Sequence, residues 1–266
     1  MRASDHLLDA DQLRDGLGAD RIGRRIITLP EVDSTNTYAL KFADDRDADG
    51  TVIFAERQTA GRGRLGRVWH CPNGAGLTFT VLLCEPVGAT TPAAWMMLAG
   101  IAVVRGVIDA TDVAPSLRWP NDVYVNDRKL AGILVESRRR EDGMDIVAIG
   151  IGINCLQRPG HFPPEVRDRA TSLDMLSTAP VDRHSVARHT LRALDAALCE
   201  RIHCDETRLI EIWQGHSVDI GAHVELRSEG HTFRGRIIDV HPRDGLLVQL
   251  DDGGRRQFDP ATTTRS

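Results

Sequence analysis

The sequence predicts an α+β fold: a largely antiparallel or mixed β-sheet packed by helices, followed by a small C-terminal β-barrel. Three observations carry this. Up to Asn154 strand-like runs dominate, and several are joined by hairpin turns where βαβ winding would need helices. Two long segments, Pro92 to Ile108 and Val181 to Ile202, carry the apolar faces of buried helices. From Ser217 onward the chain turns to short strands punctuated by Glu229-Gly230, Asp244-Gly245 and Asp252-Gly253. A length of 266 residues is enough for one full core and a small second domain. The boundaries expected are a short N-terminal segment at 1–24, a main domain at 25–213 and the barrel at 214–266.

Taken in order, residues 1–24 read as a short helix around Leu7 to Leu17, ended by Gly16 and Gly18, then a basic link. That is too little for a three-helix DNA-binding body. Ile26 to Leu29 forms a strand. In PEVDSTNTYALKFA, one of Asp33, Ser34 or Thr35 caps a helix with apolar positions Tyr38, Ala39, Phe42 and Ala43. Capping accounts for Ser34 and Thr35 by itself, yet a helix start also offers free backbone donors to a ligand. Thr51 to Glu56 is a buried-type strand, and Gly76 to Leu83 alternates Leu77, Phe79, Val81 and Leu83 with Thr78 and Thr80. A strand interrupted at Pro120 follows the first long helix, resumes at Asp122 to Val125, and turns at Asn126-Asp127 into KLAGILVES. MDIVAIGIGINC is a further strand, ending in Gly150, Gly152 and Asn154. A Pro-containing connection fills 155–180. The second long helix has a seam of Ala187, Leu191, Leu194 and Leu198, and Asp205 to Trp213 adds a shorter one. HVELRS, HTFRGRIIDV, GLLVQLD and RRQFD are the barrel strands.

Composition excludes several classes. With 41% hydrophobic and 27% charged residues the chain is globular, and a net charge of −5 opposes a surface given over to nucleic acid. The start has neither a signal-peptide core nor a transit-peptide composition, and the longest apolar run, Ala93 to Val104, is too short for a bilayer. A cytoplasmic protein without membrane partners is expected. Five cysteines at irregular spacings include no CxxC pair; Cys199, His203 and Cys204 are close, but no second pair completes a zinc site. They are expected to be reduced thiols, mostly buried. Only two of the 33 basic residues are lysines, Lys41 and Lys129. In an arginine-using chain, a retained lysine marks a place where a compact ammonium cannot be exchanged for a planar fork. Lys41 lies on a plain amphipathic helix, which leaves Lys129.

The stretch Ala55 to Arg67, AERQTAGRGRLGR, concentrates Gly61, Gly63 and Gly66 with Arg62, Arg64 and Arg67, and Trp69 closes it. Glycines let a backbone approach a ligand, and arginines suit carboxylate and phosphate oxygens. No GxxxxGK[ST] loop and no GxSxG elbow occur. The GxGxxG spacing of Gly61, Gly63 and Gly66 leads into Val68 to Pro72, which is no helix start, so a dinucleotide fold does not fit. What remains is a polar set at strand ends and helix starts: Ser34, Thr35, Asn36, Gln58, the loop arginines, Asn121, Asp122, Lys129 and Asn154.

The blocks DSTN, AERQTAGRGRLGR-W, RWPNDVYVNDRKLAGILVE and GIGIN, in this order, resemble the biotin–protein ligases. The likeness is close over Ile26 to Asn154 and looser beyond. It implies a class II synthetase/lipoate-ligase-like catalytic domain with an SH3-like C-terminal barrel. It also implies condensation of biotin with ATP to biotinyl-5′-AMP, then transfer to one lysine of the biotin carboxyl carrier domain of acetyl-CoA carboxylase or a related carboxylase. Joining a carboxylate to an α-phosphate brings two anions together, so cations and Mg²⁺ are the main catalytic need. By resemblance, Ser34, Thr35, Asn36 and Gln58 hold the ureido head, and the Gly61–Arg62–Gly63–Arg64 loop closes over biotin with Gly132 beside it. Arg67 meets the triphosphate, Trp69 packs by the adenine, and Asn121, Asp122 and Asn154 order phosphates and metal, with Asp122 the candidate Mg²⁺ ligand. Lys129 and Arg64 are the catalytic candidates, Lys129 lying between the biotin carboxylate and the α-phosphate. The loop is expected to be mobile before ligand binds and to shield the adenylate from water afterwards.

The family's usual KWPND is here RWPND, with Arg118. Some relatives carry an N-terminal winged helix and act as repressors; the short N-terminus leads to the expectation of the ligase-only form, without DNA. Family members often pair through the catalytic sheet, so a homodimer is compatible. Two other readings are a DNA-binding biotin sensor, which needs a basic reading head, and a lipoyl or octanoyl transferase, from which the Gly-Arg loop points away.

Overall fold

The computed structural model describes residues 7–203, 206–241 and 245–265. Seven strands build the main sheet: β1 (Arg25–Leu29), β2 (Thr51–Ala55), β3 (Gly76–Pro86), β4 (Ser116–Arg118), β5 (Asp122–Val125), β6 (Arg128–Arg139) and β7 (Met144–Asn154). Their order is β1-β2-β3-β7-β6-β5-β4. Only β1 and β2 run parallel; every other pair is antiparallel. The sheet is therefore mixed and largely antiparallel, as the hairpin signals indicated. Asn126 and Asp127 both take positive φ (48° and 61°), which gives the β5–β6 turn the twist that two-residue hairpins require.

The two faces of this sheet differ sharply. On one, Leu77, Phe79, Val81 and Leu83 of β3 lie beside Val147, Ile149, Ile151 and Ile153 of β7 in the main core. Helices α3 (Pro92–Ala110) and α5 (Arg183–His203) cover it. Thr91 caps α3 through its hydroxyl, which accepts from the Ala94 amide at 3.2 Å. At Gly106 a Cβ would stand 2.5 Å from Thr190 Cα, so glycine lets α3 and α5 approach closely. The seam Ala187, Leu191, Leu194 and Leu198 is buried as the periodicity required. By length and composition α3 could cross a membrane, but 67% of it is buried within the protein, so its apolarity is that of a core helix.

The opposite face carries Thr78, Thr80, Gly150, Gly152 and Asn154. Toward its other end a small apolar cluster of Ala39, Ile53, Leu82, Ile146 and Ala148 seats helix α2 (Thr35–Ala39). Helix α1 (Ala10–Arg14) is shorter than the sequence suggested, and Gly16 and Gly18 follow it with φ near +60°. The segment around it joins the main core through Leu8, Leu13, Leu17 and Ile22. Asp195 on α5 holds it by accepting from the amides of Asp20, Arg21 and Ile22. The connection after β7 includes a short helix, α4 (Pro164–Arg167).

After α6 (Glu206–His216), strands β8 (His223–Ser228), β9 (His231–His241), β10 (Gly245–Leu250), β11 (Arg255–Phe258) and β12 (Thr263–Arg265) form a second, antiparallel sheet in the order β11-β10-β9-β8-β12. Four of these strands follow the hairpin signals. Three-residue β12 has too little alternation to be read from sequence, and its place beside β8 is a tertiary outcome. Cys204, Asp205 and the Asp244 half of one predicted turn lie outside the described residues. Fewer thiols are buried than expected: Cys155 is buried, Cys71 and Cys84 are half-buried and Cys199 is exposed.

Behind the root of the Gly-Arg loop is a buried ion pair. Arg183, at the start of α5, donates to Glu56 at 2.8 and 3.2 Å and to the Gly76 carbonyl at 2.9 Å, tying the end of β2 to the start of β3. The Leu8 amide also donates to Glu56. Both side chains are at most 5% exposed. Removing one partner leaves a buried charge uncompensated, so Arg183→Met is expected to destabilise the protein by about 3–5 kcal/mol in chemical denaturation. Adding Glu56→Gln to it should recover part of that loss.

Candidate active site

The site begins with what the sheet leaves out. Gly132 on β6 and Gly152 on β7 stand opposite each other, with Gly150 two residues from Gly152 on the same face. A Cβ at Gly152 would lie 2.5 Å from Cε2 of Trp69, and one at Gly132 would lie 3.3 Å from both Trp69 and the Lys129 side chain. At Gly150 it would lie 2.4 Å from Oδ1 of Asn36. The three glycines thus form a floor on which Trp69, Lys129 and Asn36, from three different segments, rest directly on backbone.

Lys129 begins near the N-terminal end of β6, and its backbone is pinned on both sides. Its amide donates to the Arg169 carbonyl at 2.7 Å, and its carbonyl accepts from Thr171 at 3.0 Å. The ammonium is 2.6 Å from Asp122 Oδ1 and 5.8 Å from the centre of the Trp69 ring. The indole Nε1 of Trp69 is buried without a hydrogen-bond partner among the described residues, a donor at the site left for something else.

The Gly-Arg loop is a closed hairpin over this floor. Gly63 donates to Arg67 at 2.7 Å and Trp69 to Gly61 at 3.0 Å. At Gly61 a Cβ would lie 2.6 Å from the Trp69 carbonyl, which is why that position excludes a side chain. Arg62 reaches back to Glu136 on β6 at 2.7 and 3.0 Å. Arg64 points to the Asn121 side chain at 3.2 Å and to the Thr263 carbonyl of β12 at 3.4 Å. Desolvation, opposed by the charge of Asp122, lowers the Arg64 pKa from its usual value. Arg67, Leu65 and Val68 are exposed.

A third group lies where α2 meets the floor. Ser34, Thr35 and Asn36 are buried. Ser34 is the N-cap residue, but its hydroxyl makes no capping bond, so the position is helical punctuation while the side chain is uncommitted. Gln58 Oε1 accepts from the Thr35 amide at 2.8 Å. Thr80 Oγ1 lies 2.8 Å from Thr35 Oγ1 and 2.6 Å from Asn36 Oδ1, and Asn36 Nδ2 donates to Glu136 at 2.8 Å.

Most of the sequence-predicted residues therefore converge, with differences in use, while Arg67 stays exposed at the end of the loop. Asn121 donates to the Ile133 carbonyl at 2.7 Å while accepting from Arg64. Asn154 spends its amide inside the protein, donating to Thr171 at 2.9 Å and accepting from Gln157 at 3.1 Å. Arg118 stacks 4.0 Å over the Tyr124 ring and pairs with Asp127, a planar role that suits arginine. Sequence reading passed over Thr80, Glu136, Gly150 and Gly152 as site residues. The signals were there: Thr80 is on the polar phase of an alternating strand, and two glycines recur at the strand period. The C-terminal sheet also reaches the site. Buried Asp219 accepts from the Trp119 amide and from Arg265 of β12, holding the turn that carries Asn121 and Asp122; burial raises its pKa.

No group of three metal-binding side chains occurs among the described residues. Asp122 offers one carboxylate beside Lys129. This fits a magnesium ion that brings most of its ligands as phosphate oxygens and water, and does not fit one caged by protein.

Comparison with known proteins bears on the family and the fold. Residues 29–154 match the model of the Biotin/lipoate A/B protein ligase family. The chain is 35% identical over 261 residues to the biotin–[acetyl-CoA-carboxylase] ligase of Mycobacterium tuberculosis, covering 95% of this chain and 90% of that protein. It is 32% identical to the bifunctional ligase/repressor BirA of Bacillus subtilis over 94% of this chain and 77% of the relative. Among solved structures, the biotin protein ligase of Aquifex aeolicus in complex with biotin and ATP superposes with a TM-score of 0.76 at 30% identity, over 91% of this chain and all of that one. On the matched motifs, the extent of these alignments and the shared fold, the chain belongs to the Biotin/lipoate A/B protein ligase family.

Proposed function

We propose that this chain is an ATP-dependent biotin–protein ligase, which forms biotinyl-5′-AMP and transfers biotin to a lysine of a biotin carboxyl carrier domain. The observation that carries this reading is the placement of Lys129: a compact ammonium on a glycine floor, between the Trp69 ring and the turn bearing Asn121 and Asp122. Its three donors can meet a substrate carboxylate and a phosphate oxygen at once, which lowers the repulsion between the two reacting anions. The groups around α2 suit the ureido head, and Trp69 offers a flat face and an unused N–H to the nucleotide. Mg²⁺, when bound with ATP, neutralises phosphate charge, and Asp122 is the carboxylate that would hold it. Arg62 and Arg64 keep the loop drawn over the floor and exclude water from the mixed anhydride. We assign catalysis to 25–213, with the N-terminal segment 1–24 tied to it through Leu8, Leu13, Leu17 and Ile22. We assign to the C-terminal unit at 214–266 closure of the nucleotide side through Thr263 and reception of the acceptor domain.

Biotin-dependent ATP–pyrophosphate exchange tests the first step. Exchange with biotin and none with lipoate is expected, and Lys129→Ala should lower it by about a hundredfold or more, the scale of losing one electrostatic stabiliser. A folded wild type without exchange would remove the proposal. Gly152→Ala should push the Trp69 ring from its seat. It is expected to raise the KM for ATP well above that for biotin in the same assay, with the melting temperature little changed.

A further inference from the structure

The loop and the ureido-side cluster share one residue to which no role has been attached. Glu136 on β6 accepts from Arg62 Nη2 at 2.7 and 3.0 Å and from Asn36 Nδ2 at 2.8 Å. We propose that Glu136 is a positioning residue of the site, which links the closed loop to Asn36 and sets the hydrogen-bond polarity of the Asn36–Thr80–Thr35 chain. This rests on the functional reading above.

A carboxylate facing a guanidinium is an acceptor only. Glu136 therefore takes the amide nitrogen of Asn36, and the Leu134 carbonyl, 3.2 Å from the same Nδ2, reinforces that orientation. Oδ1 of Asn36 is left to face Thr80 Oγ1 at 2.6 Å, and the single hydroxyl hydrogen of Thr80 is spent there. Thr80 then has only lone pairs for Thr35 Oγ1 at 2.8 Å, so of the two acceptors beside the Thr35 hydroxyl, Thr80 Oγ1 and Gln58 Oε1 at 3.2 Å, the shorter contact with Thr80 takes its hydrogen. The Thr35 amide already occupies Oε1 of Gln58. Toward the substrate, Thr35 consequently presents acceptor lone pairs and Gln58 presents its amide hydrogens. A cyclic urea, with N–H donors flanking one carbonyl acceptor, needs that complement. Thr80 is fully buried and Thr35 and Asn36 nearly so, which leaves water little part in the assignment. Arg62 holds Glu136 from the loop side, so closing the loop and fixing the cluster's polarity are one event.

The test is direct binding of biotin to the full chain by calorimetry without ATP, for wild type, Glu136→Met and Glu136→Gln, with 2-iminobiotin as a probe that replaces the carbonyl acceptor by a donor. Unliganded melting curves separate loss of fold from loss of the site. The Met variant is expected to bind biotin about 10- to 100-fold more weakly, the cost of leaving a buried donor unpaired, and to discriminate less against 2-iminobiotin. Gln, which keeps an acceptor oxygen, should restore most of the affinity. Folded Met and Gln variants that bind both ligands as wild type does would overturn the proposal, as would a Gln variant no better than Met. A folded wild type that binds no biotin would overturn the functional reading, and this inference with it.

Discussion

The close contact of Trp69, Lys129 and Asn36 with bare backbone is the constraint on which the site depends. It exists because β7 has two unlike faces. Val147, Ile149, Ile151 and Ile153 bury against α3 and α5, and the alternate positions give Ala148, Gly150, Gly152 and Asn154. A strand's period of two lets one segment serve as core wall on one side and as floor for polar chemistry on the other. Any Cβ at Gly150 or Gly152 would clash with a site side chain, at 2.4 or 2.5 Å, well inside van der Waals contact.

On that floor the charges are arranged in pairs that hold each other in place. Lys129 meets Asp122, Arg62 meets Glu136, and Arg64 reaches Asn121 while desolvated. Because most are only partly buried, such pairs contribute little to stability. Their value is orientation: side chains from the loop, β5 and β6 are already turned toward one space before an anionic substrate arrives. The Glu56–Arg183 pair is different in kind. It is nearly inaccessible, and it fixes the loop's root to the start of β3.

The C-terminal sheet is part of this arrangement. Thr263 accepts from the loop's Arg64, and Asp219 joins Arg265 to the backbone of Trp119, just ahead of the turn with Asn121 and Asp122. A short edge strand is thus linked both to the loop and, through Asp219, to the segment ahead of the Asn121–Asp122 turn.

Much of this was written in the chain. The apolar phase of β3 and β7, the seam of α5, the Asn126-Asp127 turn and the glycine–arginine loop are local patterns, and local physics produced the corresponding elements. The scarcity of lysine singled out Lys129, which the fold sets beside Asp122 and Trp69. Other features have no local signature. That Glu136 serves two masters, that Asn154 turns its amide inward, and that α1 belongs to the main core depend on which segments lie side by side. Sequence by itself determined the elements, the two faces of the sheet and the residue types offered to the site, because backbone dihedrals and hydrophobic period act within a few residues. Only the tertiary structure decided which donor meets which acceptor, because a hydrogen bond between residues a hundred positions apart is set by strand order and register.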